Sequence, residues 1–168
     1  GRSQIMIIGS LGISTSMPVR PERMNSAQLR SGLFKAFGEA LTVYTKEAMP
    51  DRWPDVMSQH GIILLALGKQ VTSNVTLEMA VNKFRKVLKV RKRKKAPQLR
   101  VQTANNLGAA CCSLAKRNAT VALLHEAQKC FKSAAKVYQE IGDAKRAEVI
   151  MSNRARVEHF MTAGASVK

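Results

Sequence analysis

At 168 residues the chain is long enough for one compact domain, and 45% hydrophobic residues with only 5% aromatics favour helices packed through Ala, Leu, Val and Met over a strand-rich core. Its 28 Lys and Arg against 11 Asp and Glu give a formal net charge of +17, an excess that solubility does not require and that points to a polyanionic partner such as nucleic acid or an anionic membrane surface. No apolar run approaches the roughly 18 residues of a bilayer span, and three unpaired cysteines, Cys111, Cys112 and Cys130, exclude a disulfide framework.

Residues 1–25 are rich in Ser, Gly and Pro, carry Arg2, Arg20 and Arg23 with Glu22 as their one acid, and are predicted to form an extended basic arm that orders against partners. The start at Gly1, without an initiator Met, predicts either a processed or an artificially introduced start. Ser26 is the expected cap of a helix to about Ala48, stopped by Met49-Pro50 because the residue before proline is pushed out of helical geometry. A second helix is expected from about Arg52 to Gly68, with Pro54 in its first turn where a missing N–H costs nothing. Asn74 or Thr76 is expected to cap a third, to about Lys92, whose Leu77, Ala80, Val81, Phe84, Val87 and Leu88 draw one apolar stripe. Pro97 opens a fourth to about Lys116, Thr120 a fifth to Ile141 with Gly142 as its stop, and Asp143 caps a sixth to about Thr162. The helical domain thus spans 26–163 and a short polar tail 164–168 follows it.

The helical part repeats itself at an offset of 47 residues. Gly61 and Leu67 return as Gly108 and Leu114, while Leu77, Ala80, Phe84 and Val90 return as Leu124, Ala127, Phe131 and Val137. A weaker earlier copy supplies Phe37, Leu41, Val43 and Pro50. A repeated helical unit builds an extended surface more readily than a catalytic pocket.

These positions resemble the tetratricopeptide repeat family. Ala80-x3-Phe84 and Ala127-x3-Phe131 are similar to its second-helix signature, Gly61 and Leu107-Gly108 to its first-helix close approach, and the stretches Tyr44–Trp53 and Asn105–Gly108 to the long-repeat bacterial-type arrays. The likeness covers about residues 30 to 160 and departs from the family in its step of 47 residues instead of about 34. It implies an all-α fold of antiparallel helix pairs stacked as a short solenoid, gripping partners on a concave face.

One segment stands out for chemistry. Lys83, Arg85, Lys86, Lys89, Arg91, Lys92, Arg93, Lys94 and Lys95 follow one another without an acid. Lys83, Lys86 and Lys89 recur at helical spacing opposite Phe84, Val87 and Leu88, so a cationic stripe faces outward, and the run from Arg91 to Lys95 repels itself unless anions lie nearby. A solvated helix end and a nuclear-import signal are the competing readings. If the run holds RNA, contact is to the backbone of a folded RNA, since aromatics are too few to stack bases. The expected phosphate-binding set is Lys83, Lys86, Lys89, Arg91, Lys92, Arg93, Lys94 and Lys95, with arm contacts from Arg2, Arg20 and Arg23.

Catalytic and metal signatures are missing. His60, His125 and His159 fall on different helices, no Cys-x2-Cys or His-x3-His occurs, and His60, at the repeat position of Leu107, is expected to be a satisfied packing residue. Trp53, Tyr44 and Tyr138 are expected to pack between helices instead of touching a ligand. The resulting expectation is a non-enzymatic, cofactor-free scaffold of a large ribonucleoprotein, an organellar ribosome placed in the mitochondrion, with RNA and neighbouring subunits as partners and no small-molecule substrate. The alternative is a protein–protein adaptor or a peripheral subunit of a membrane-bound energy-transducing complex, in which an anionic membrane meets the basic face, in the cytoplasm or nucleus where the organellar placement fails.

Overall fold

The computed structural model describes residues 26–70, 74–92 and 94–165. They form six α-helices and, among the described residues, no strand: α1 Ser26–Val43, α2 Trp53–Gln70, α3 Val75–Val90, α4 Pro97–Asn118, α5 Val121–Glu140 and α6 Ala144–Ala165. Each helix packs on the next, and α2 also touches α4. The expected arm, 1–25, and the last three residues of the expected tail, 166–168, lie outside the described residues; Gly164 and Ala165 extend α6.

The helix ends follow from local chemistry, with three departures from expectation. α1 stops at Val43 and not at Ala48, because Thr42, Val43 and Thr45 bring β-branched side chains together and Thr45 starts a new turn, its hydroxyl accepting the Ala48 N–H at 3.1 Å. Asn74 precedes α3 but makes no side-chain cap, since its own backbone is already helical and its carbonyl accepts the Glu78 N–H. Thr120 caps α5 no better. Asp143 does cap α6, its Oδ1 accepting the Arg146 N–H at 3.1 Å. Ala119 ends α4 at φ 52°, a left-handed conformation that costs an alanine roughly 1 kcal/mol, while Gly142 takes φ 77° after α5 without that cost.

The core runs from α2 to α6 through Leu64, Leu77, Phe84, Leu107, Leu124, Phe131 and Ile150, each at most 5% exposed. Full burial of each such side chain contributes about 2–3 kcal/mol. A smaller cluster of Trp53, Met57 and Val87 closes the start of α2 against the end of α3, and Tyr138 is buried as expected. Two glycines set the helix spacing. A Cβ on Gly61 would sit 2.8 Å from the ring of Phe84, and one on Gly108 would sit 2.7 Å from the ring of Phe131. The same contact thus recurs one repeat later. Gly61 opposite Phe84 and Gly68 opposite Leu77 also fix α2 and α3 as antiparallel, because one numbering rises as the other falls.

His60 is buried on the α1 side of α2, with Phe34 edge-on at 5.2 Å and Phe37 stacked at 6.4 Å between ring centroids. It packs, as expected, yet neither ring nitrogen has a hydrogen-bond partner among the described residues. The expected satisfaction fails because α1 presents aromatic rings, not acceptors, to it.

Candidate nucleic-acid interface

Helix α3 ends under heavy positive charge, and inward-facing groups absorb part of it. Arg91 leaves the expected phosphate-binding set: it is only 8% exposed, forms an ion pair with Asp55 of α2, and donates to Thr103 Oγ1 of α4 at 2.6 Å. Its repeat position explains this, since the equivalent residue in the next copy is the buried Tyr138. Arg100 donates to the carbonyls of Leu88 and Arg91 at 2.7 and 2.5 Å, satisfying the C-terminal end of α3. Arg117 does the same for Gly68 of α2, at 2.6 Å.

Lys83 is half-buried, its Nζ 3.6 Å from Met57 Sδ, and burial, followed by the nearby Lys86, pushes its pKa down. It therefore faces the core more than solvent. Lys92 and Lys95 are exposed but share a cleft of about 260 Å³ with Asp51 and Asp55, so acidic side chains partly oppose them. Lys86, Lys89 and Lys94 are exposed. Arg93, Arg2, Arg20 and Arg23 lie outside the described residues.

A second row went unread in the sequence. Lys129, Lys132 and Lys136 are exposed along one face of α5. Arg85 of α3 ties the two rows together: its Nε donates to Glu126 Oε1 at 2.9 Å and its Nη2 to Oε2 at 2.5 Å. That forked hydrogen bond holds the Glu126 carboxyl below the usual carboxylate range. One turn beyond the pair lie Lys89 and Lys129, and Lys89 and Lys136 are equivalent at the 47-residue offset. The offset was therefore the available signal for the second row. Glu140 lies 4.0 Å from Lys136 in an exposed pair worth little. Among the described residues the face exposes no aromatic ring, so it offers charge without stacking.

Elsewhere the chemistry is quiet. Burial pushes the Cys130 thiol up to about 12 and raises Cys111 and Cys112 as well, which keeps all three protonated and unreactive at neutral pH. Among the described residues no group of His, Cys, Asp and Glu is arranged to hold a metal ion, and no helix is long and apolar enough to cross a membrane. Comparison with protein-family models, with curated proteins and with solved structures found no match to this chain.

Proposed function

We propose that this chain is a non-catalytic helical-repeat scaffold of a ribonucleoprotein, with helix pairs stacked in the manner of tetratricopeptide repeats and RNA phosphates held on the joint face of α3 and α5. One observation carries the reading: Lys86, Lys89, Lys129, Lys132 and Lys136 are exposed on two helices joined by the Arg85–Glu126 pair, whose carboxylate is already engaged. The repeated glycine–phenylalanine contact supports the stacked arrangement. With no aromatic platform on the face, binding follows backbone charge and shape, not base sequence.

The test is anisotropy of a fluorescently labelled RNA hairpin titrated with the full chain. About five phosphate contacts make affinity fall several hundredfold between 50 and 200 mM salt. Changing the five lysines to Ala abolishes that dependence while the helical circular dichroism stays intact. Salt-independent binding, or binding unaffected by the five substitutions, overturns the proposal. Equal dependence on these lysines with phosphatidylserine vesicles, and none with RNA, reassigns the face to lipid.

A further inference from the structure

A separate cavity of about 560 Å³, lined by none of those lysines, lies between α4, α5 and α6. Its apolar wall is built from Leu124 and Phe131 of α5 and Val157 of α6, all buried, while the half-exposed ring of Phe160 stands at its edge. Cations reach it from three helices: Lys69 from the end of α2, Lys116 from α4 and Arg156 from α6, with the His159 side chain also on the lining. Lys69 and Lys116 are equivalent at the 47-residue offset, so successive repeats deliver the same charge to the same cavity. Arg156 is oriented by a neutral partner, donating to Asn153 Oδ1 at 2.8 Å. No acidic residue lines the cavity.

We infer that this cavity binds a small amphipathic anion, a carboxylate or phosphate carried on a hydrocarbon or aromatic body. The physical case has two parts. The volume falls within the roughly 300–1,000 Å³ of small-molecule sites, which enclose a compact ligand. Cations converging beside an apolar wall, with no carboxylate to neutralise them, complement a molecule that is greasy at one end and negative at the other, and they disfavour neutral or cationic analogues. The small side chain of Ala109 lines the wall, and the site rests on none of the residues of the RNA-binding proposal.

The experiment uses the full chain with anilinonaphthalene sulfonate, itself an aromatic anion whose fluorescence rises on leaving water. Octanoate and octyl phosphate displace it, whereas octanol and octylamine compete at least tenfold less well. Lys116→Gln combined with Arg156→Gln weakens the probe about tenfold or more. Both residues are exposed, so the urea midpoint stays where it was. Lys129→Gln with Lys132→Gln leaves probe affinity unchanged. Cys112, which is half-buried and lines the cavity, supplies an independent readout, because octanoate slows its alkylation by iodoacetamide at alkaline pH. Octanol competing as well as octanoate overturns the inference, as does a probe affinity indifferent to the Lys116 and Arg156 substitutions. Displacement by an acidic peptide but not by octanoate overturns it in favour of a peptide groove.

Discussion

Asp55, in the first turn of α2, forms an ion pair with Arg91, the residue that closes α3, and Thr103 of α4 holds the same guanidinium. Three helices thus meet on one buried cation. Arg91→Ala is expected to lower the unfolding free energy by about 2 kcal/mol, the usual value for hydrogen bonds to a charged group. The loss is not larger because the Asp55 side chain, 40% exposed, stays hydrated when its partner goes. Lys92→Ala, one residue on and exposed, changes stability by no more than about 0.5 kcal/mol. Urea denaturation of the two variants checks the contrast, and equal effects would contradict it.

The glycine–phenylalanine contacts predict an inversion of the usual glycine rule. In an open helix, Gly→Ala stabilises by about 0.5–1 kcal/mol, and Gly32 and Gly38 of α1, with nothing within 4 Å of an added Cβ, should behave that way. Gly61→Ala and Gly108→Ala instead drive a methyl into Phe84 and Phe131, where overpacking of about 1–3 kcal/mol exceeds the propensity gain. Thermal melts should show both falling, by similar amounts, because the geometry is the same in the two copies. Phe84→Leu added to Gly61→Ala should recover part of the loss.

These contacts also indicate what the sequence made legible. Helix positions and the close approach at Gly61 and Gly108 could be read because steric fit leaves a periodic trace: small residues return where helices must approach. Charge leaves no such trace. Arg91 and Lys92 look alike in a basic run, yet one is clasped between helices and the other is exposed, and the difference lies in Asp55, 36 positions away. The lysines of α5 escaped for the opposite reason. Lys129, Lys132 and Lys136 are interrupted in sequence by Cys130, Phe131, Ala134 and Ala135, which point inward, so their row forms only when the helix winds. The cavity beside α6 needed three helices to be placed before its cations converged.

His60 makes stability pH-dependent. Burial, with a smaller contribution from Lys83, lowers its pKa from 6.5 to about 4. Between those values the unfolded chain binds the proton and the folded chain does not, so stability rises with pH. The contribution is complete above about pH 6.5 and is lost as pH falls toward 4, up to about 3 kcal/mol in all. His60→Leu, which installs the residue of the next copy, Leu107, should remove this slope. The difference between the two proteins, measured by urea unfolding from pH 4 to 7, cancels the carboxylates they share. A constant difference would mean that α1 yields to let the charged ring reach water.

Glu126 restrains the face proposed for RNA. Its carboxylate neutralises Arg85 at the centre of the lysine rows, and the pair is half-exposed, so Glu126→Gln should cost only about 0.5–1 kcal/mol of stability. The same change removes the carboxylate that engages Arg85 and releases a guanidinium toward solvent. RNA affinity should then rise several-fold at 100 mM salt, and the slope of log affinity against log salt should steepen by about one unit, the signature of one added phosphate contact. Anisotropy titrations at three salt concentrations measure both. A steeper slope would assign Arg85 to the bound phosphates, whereas weaker binding with an unchanged slope would mean that the ion pair acts by holding α3 and α5 in register.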